Sequence, residues 1–143
     1  MTRYCMNCMN PLNDDGLCLD CESWSTPELA PHQLAPGTVL NGRYLIGSIL
    51  GQGGFGITYI GRDLLLDMRI AVKEYYPTGY ANRNVSASDK VTATGETSVT
   101  VFEKGKERFL DEASTLAKYQ NDPGIVSVLN FFKANETTYI AME

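Results

Sequence analysis

The chain has 143 residues, 43% hydrophobic and 20% charged, with 12 basic against 17 acidic side chains and a net charge of −5. That length holds one ordinary domain, or a small one with an appendage, and the balance is that of a globular chain. The acidic charge argues against a broad nucleic-acid surface. No apolar run approaches the roughly 18 residues of a membrane span, and the opening Met-Thr-Arg-Tyr-Cys lacks a signal peptide's apolar core, so a cytoplasmic location is expected.

Residues 1–24 hold all four cysteines, Cys5, Cys8, Cys18 and Cys21, and too little apolar material for a core of their own. Two Cys-x-x-Cys pairs in a reducing compartment point to Zn²⁺, which takes about four thiolates in a tetrahedron; two disulfides or free thiols are the alternative. The spacer carries Pro11, Asn13, Asp14, Asp15 and Gly16, which suit a tight reversal. The pattern resembles the compact zinc ribbons at bacterial protein termini. Its expected role is structural, as a small docking module. Residues 25–37 carry three prolines and a glycine, and are expected to be an extended linker.

From residue 38 the strand signals come quickly. Arg43–Leu50, Phe55–Gly61 and Asp67–Tyr76 predict an antiparallel meander, the last run ended by Pro77. Residues 77–101, rich in Ser, Thr, Asn and Gly with only short alternation at Lys90–Thr94 and Ser98–Phe102, read as a surface insertion with at most a loose hairpin. Glu103–Gln120 predicts a helix with Phe109, Leu110, Ala113, Leu116 and Ala117 on one apolar face, stopped by Asn121-Asp122-Pro123-Gly124. Two strands follow, Ile125–Lys133 and Thr137–Met142, joined by a turn. The expected architecture is α+β, a five-stranded antiparallel sheet with one helix.

Gly51-Gln52-Gly53-Gly54-Phe55-Gly56 matches G-x-G-x-x-G. In a dinucleotide-binding unit these glycines would join a strand to a helix. Here Ile57-Thr58-Tyr59-Ile60 continues as a strand, so the glycines cap a hairpin whose amides can approach a nucleotide's phosphates. Ile70-Ala71-Val72-Lys73 fits the V-A-I-K pattern on the next strand; a lysine snorkelling from an edge strand is the plainer alternative. Glu112 lies within the helix's apolar stripe, where an unpaired carboxylate is costly. Its candidate partners are Lys73 and, one turn earlier, Arg108.

Together these residues resemble the N-terminal lobe of bacterial eukaryotic-like Ser/Thr protein kinases, over residues 37–143. Gly37–Tyr44 is similar to that family's lead-in to the first strand, Gly51–Gly56 to its phosphate loop, Lys73 to its third-strand lysine and Glu112 to its helix-C glutamate. Pro123-Gly124-Ile125-Val126 resembles the loop after that helix, and Tyr139–Glu143 the strand running into the hinge. The resemblance implies Met142 as gatekeeper, Glu143 as the start of the hinge, and Leu50, Thr58 and Ala71 lining the adenine pocket. It further implies ATP and Mg²⁺ as cofactors and protein Ser/Thr hydroxyls as acceptors. Similar kinases carry Lys-Glu-Tyr-Tyr-Pro-like sequences followed by an insertion. The chain reaches Glu143 without His-Arg-Asp or Asp-Phe-Gly, so residues 1–143 alone are expected not to phosphorylate, and the uncovered cleft is expected to favour a homo-oligomer. A non-catalytic scaffold or docking module is the alternative function.

Overall fold

The computed structural model describes residues 3–16, 18, 30, 32–85, 87–118 and 127–143. Strands β1 (Val39–Leu40), β2 (Tyr44–Gln52), β3 (Gly56–Asp63) and β4 (Met68–Tyr75) are followed by a small ladder, β5 (Ala81–Asn82) with β6 (Thr92–Ala93). Then come helix α1 (Glu96–Lys118) and strands β7 (Val128–Ala134) and β8 (Thr137–Met142). The main sheet is antiparallel with six strands in the order β1-β2-β3-β4-β8-β7. The five expected strands are all present, and the two-residue β1 adds a sixth at the edge. No helix among the described residues is long and apolar enough to cross a membrane.

Local chemistry explains the turns. Between β3 and β4 the Asp63 carboxylate accepts bonds from the Leu65 and Leu66 amides at 3.0 and 3.1 Å and a two-pronged Arg43 at 2.9 and 2.8 Å. The Arg43 hydrogen bonds hold the Asp63 carboxyl below its ordinary range, against the opposing effect of burial. Between β7 and β8, Asn135 and Glu136 both take positive φ, 51° and 61°, as a two-residue hairpin that follows the twist of its strands requires. Phe132 stacks between Tyr44 and Tyr139 with both ring centroids at 5.1 Å, tying the β7 edge across the sheet.

Alternation along β4 divides its side chains. Ile70, Val72 and Glu74 point one way and are buried; Ala71, Lys73 and Tyr75 point the other. The burial of Glu74 is unexpected for a carboxylate. It is fully enclosed and meets the equally enclosed Arg83, whose Nη2 and Nη1 lie 2.6 and 2.8 Å from Glu74 Oε1 and Oε2. Tyr59 and Tyr139 hydroxyls donate to the same carboxylate at 3.0 and 2.5 Å. Burial first, and the Glu74 charge second, push both phenols up from their ordinary pKa. Burial works against the Arg83 charge, but the bonds and charge of Glu74 outweigh it and the guanidinium stays protonated.

Arg83 comes from the segment read as a surface insertion, which is therefore built into the core at that point. Its loose hairpin is the β5–β6 ladder. The stretch Ser98–Phe102 belongs to α1, which begins seven residues before the expected Glu103. Packing drew the helix out: Phe102 is buried and its ring lies 5.3 Å from that of Tyr75. Gly105 lets the helix settle there, because a Cβ would collide with the Tyr75 ring and hydroxyl. Phe109 and Ala113 are buried as expected, with Leu116 and Ala117 packed beside them. The expected stop at Asn121–Gly124, the loop through Val126 and the start of the strand at Ile125 lie outside the described residues.

The N-terminal segment sits on the sheet. Asn13–Gly16 makes the expected tight reversal, with the Gly16 amide on the Asn13 carbonyl at 3.0 Å and Asp15 N on Asn13 Oδ1 at 3.1 Å. Met9 is fully buried against β2 at Gly47, where any Cβ would strike Met9 Cε and the Met6 carbonyl. The Ser48 amide bonds Met6 O at 2.7 Å, Arg62 Nη1 bonds Met9 O at 3.1 Å, and the Arg62 guanidinium lies over the Tyr4 ring at 4.5 Å. The described part of the Pro-rich segment also packs down: Leu34 is fully buried and its amide donates to the Tyr59 hydroxyl at 3.1 Å. Of that segment, residues 25–29 and Pro31 lie outside the described residues.

Removing one member of a buried ion pair strands its partner's charge. Arg83→Leu is expected to cost about 3–5 kcal/mol of unfolding free energy. Breaking the surface pair of half-buried Lys106 with exposed Glu103 by Glu103→Gln is expected to cost no more than about 0.5 kcal/mol. Urea unfolding of the two variants against the parent checks the contrast.

Candidate nucleotide-binding site

The glycine loop closes the β2–β3 hairpin. Gly53 N donates to Gly56 O at 2.9 Å, and the loop tip is held to the end of β4 by Tyr76 N on Phe55 O at 3.0 Å and Thr78 N on Gly54 O at 2.9 Å. The glycines serve two ends. At Gly56 a Cβ would crowd the Glu74 carbonyl oxygen at 2.8 Å, so the hairpin closes only without one. At Gly51, Gly53 and Gly54 nothing lies within 4 Å of where a Cβ would stand, which leaves open space over their backbone. Phe55 at the tip is 74% exposed.

Register sets the wall beside the loop. Thr58 pairs with Lys73, and Ala71 with Met142; alternation puts all four on one face of the sheet. Leu50, at the end of β2 beside Gly51, is 59% exposed, and Glu143 follows β8 with its amide on Ser127 O at 3.0 Å. The structure thus brings together the residues expected to surround a purine ring and its phosphates.

A cavity of about 460 Å³ opens between this face and α1, and Phe55, Lys73, Tyr75, Phe109 and Glu112 all line it. Lys73 Nζ lies 5.8 Å from the centre of the Phe109 ring, a weak cation–π contact. The expected Lys73–Glu112 ion pair is not formed: among the described residues the ion pairs within 4.0 Å are Arg43–Asp63, Arg62–Asp67, Arg83–Glu74 and Lys106–Glu103. The alternative pair with Arg108 is absent from that set too. Glu112 is exposed at the flank of the helix stripe, whereas Phe109 and Ala113 occupy its centre, so water solvates the carboxylate and removes the cost that argued for a partner. Arg108 and Lys104, one turn apart on α1, also line the cavity. Sequence reasoning passed over Lys104; its signal was the i, i+4 spacing of two cations on the helix side facing Lys73.

At the N-terminus, Cys5, Cys8 and Cys18 place their sulfur atoms within 4.8 Å of one another, with Cys5 and Cys18 buried. No disulfide joins these three. The Sγ atoms of Cys8 and Cys18 are 3.6 Å apart, close to the ~3.8 Å edge of a tetrahedron with metal–sulfur bonds of about 2.3 Å. The donor set and spacing fit a metal ion. Cys21, the expected fourth ligand, lies outside the described residues.

Because Glu112 is exposed and makes no ion pair, Glu112→Gln is expected to change stability by less than about 0.5 kcal/mol. A double-mutant cycle with Lys73→Met is expected to show no coupling; thermal unfolding of the four proteins measures both.

No protein-family model matches the chain. It is 32% identical over 107 residues to serine/threonine-protein kinase B of Synechocystis, covering 73% of this chain and 16% of that protein. It is 33% identical over 100 residues to the DNA damage-responsive serine/threonine-protein kinase RqkA of Deinococcus radiodurans, covering 68% of this chain and 11% of that protein. Among solved structures, the PpkA-294 apo form superposes with a TM-score of 0.72 at 36% identity, covering 78% of this chain and 38% of the other. The chain therefore spans only a small part of the length of these relatives.

Proposed function

Because the chain belongs to the bacterial eukaryotic-like Ser/Thr protein kinases, we propose that residues 38–143 are the ATP-binding lobe of an enzyme that transfers the γ-phosphate of ATP to protein Ser and Thr hydroxyls. One observation carries this reading: the open glycine loop, Lys73 and the Thr58–Ala71–Met142 wall share one sheet face, with α1 across the cavity. In it, the adenine lies on Ala71, Thr58 and Leu50 and meets the backbone at Glu143. The amides of Gly51–Gly56 cover the phosphates and the Lys73 ammonium pairs with them. Lys73 rests on an aromatic ring with no carboxylate in contact, so a phosphate oxygen can take it without breaking an ion pair. For transfer, α1 turns Glu112 toward Lys73 and fixes the ammonium in line with the phosphates.

Mg²⁺ would supply neutralisation of the phosphate charge. Among the described residues no group of three carboxylates is gathered to hold it, so its ligands are assigned to no residue here. No residue of 1–143 is assigned as the catalytic carboxylate, and we expect these residues alone not to phosphorylate. The exposed Leu50 and Phe55 support self-association of this chain at high concentration.

We also read residues 1–24 as a Zn²⁺ knuckle held by Cys5, Cys8, Cys18 and Cys21, with a closed, structural ligand set. Its seat on Gly47, Ser48 and Arg62 makes it a buttress of β2 and β3.

Two measurements test these readings. In the full-length protein, Lys73→Met is expected to lower phosphate transfer from radiolabelled ATP to a protein acceptor by at least ~100-fold; transfer at the parental rate would overturn the assignment of Lys73. The purified chain is expected to carry one equivalent of zinc by atomic absorption and to lose it, with a lower melting temperature, in Cys8→Ser. Equal zinc content and melting in both would remove the knuckle from the metal sites.

A further inference from the structure

The outer side of the glycine loop is tied to the segment that precedes the sheet. Gln52, within the loop, presents one carbonyl oxygen, Oε1, to two donors: Gln33 Nε2 at 2.9 Å and His32 Nε2 at 3.1 Å. A carbonyl oxygen only accepts, so the His32 tautomer here carries its proton on Nε2. These two donors stand on a fixed base. The His32 carbonyl accepts from Arg83 Nε and Nη2 at 2.9 and 2.7 Å, and the His32 ring stacks on Tyr76 at 5.3 Å. The next residue but one, Leu34, is fully buried with its amide on the Tyr59 hydroxyl. Arg83 and Tyr59 are the groups that enclose Glu74, so His32 and Gln33 are mounted on the buried ion pair.

We propose that residues 32–34 form a strap that holds the phosphate loop from outside, with Gln33 and His32 as positioning residues acting through Gln52. The strap touches the loop on the side of the Gln52 side chain, while the space over Gly51, Gly53 and Gly54 stays open. It therefore sets how readily the loop lifts without occupying the site beneath. The two ends of the loop are held in the sheet ladders, Gly51 and Gln52 opposite Thr58 and Ile57 and Gly56 opposite Tyr75; its middle is held by the backbone bonds Gly53 N–Gly56 O, Tyr76 N–Phe55 O and Thr78 N–Gly54 O, and its tip is exposed. Two side-chain bonds at Gln52 add to these where the loop leaves β2, and losing them lowers the cost of lifting it locally. The assignment of the loop to nucleotide phosphates rests on the proposed function; the strap itself does not.

Amide hydrogen exchange of the nucleotide-free chain, followed residue by residue by NMR, separates the two. Exchange at Gly53 and Thr78, whose amides report the seated loop, is expected to quicken about fivefold in Gln33→Ala and about fivefold or more in Gln52→Leu, the effect of losing one or two ordinary hydrogen bonds. Exchange at Val72, in the sheet, should not move. Gln52→Glu keeps acceptor oxygens for both donors and is expected to exchange at the parental rate. Unchanged exchange at Gly53 and Thr78 in Gln33→Ala and Gln52→Leu would overturn the strap. So would acceleration of Val72 by the same factor, which would mark a general loss of stability. Since no nucleotide is present, failure here leaves the ATP reading standing, and failure of Lys73→Met to lower transfer leaves the strap standing.

Discussion

A buried carboxylate, Glu74, next to the lysine of the candidate site is the constraint around which the lobe is organised. A charge enclosed by protein is tolerable only when its hydrogen-bonding capacity is met. Here Arg83, Tyr59 and Tyr139 meet it from three separate parts of the chain. Satisfying one carboxylate therefore fixes the insertion, the middle of β3 and the strand that leads to residue 143. It also fixes where the N-terminal segment lies, because the same guanidinium donates to His32 O and the same Tyr59 hydroxyl accepts from Leu34 N.

The two faces of β4 divide the labour. The Glu74 face is closed, and its buried carboxylate, guanidinium and phenols are paired with one another. The Lys73 face is open, with a cavity between sheet and helix and with cations left in contact with water. Alternation couples them: holding Glu74 rigidly aims Lys73 at the cavity. On the helix side Tyr75 packs against Phe102, Gly105 and Phe109, and its hydroxyl donates to the Phe102 carbonyl at 3.0 Å. Among the described residues no ion pair joins α1 to Lys73, whose ammonium faces the helix over the Phe109 ring at 5.8 Å. The cysteine knuckle adds a further support, seated by Met9 on the side-chain-free surface at Gly47.

Much of this was legible in the residues. The alternation in Asp67–Tyr76 and the β-branched run after Gly56 gave the hairpin, and the glycines, Lys73 and the helical stripe through Phe109 and Ala113 fell where expected. The helix's true start was not legible, because Ser98–Phe102 alternates like a strand in isolation and turns helical only when Phe102 meets Tyr75. The pairing of Glu112 was misjudged for a related reason: the helical period places it beside the stripe, but only the tilt of α1 on the sheet says whether that flank meets Lys73 or water. Glu74 and Arg83 carried no local signal, being nine residues apart across a turn-rich segment.

By itself, then, the sequence determined the order of strands and helix, the glycine-capped hairpin and the Cys-x-x-Cys spacing that precedes it, because each is encoded within a few neighbouring residues by periodicity, glycine content or spacing. Only the tertiary structure decided that the Pro-rich segment and the insertion enter the core, that the knuckle rests on β2, and that Lys73 lies over Phe109 instead of against Glu112. Those outcomes depend on desolvation and on shape between segments far apart in the chain, and both quantities exist only once the sheet has brought those segments together.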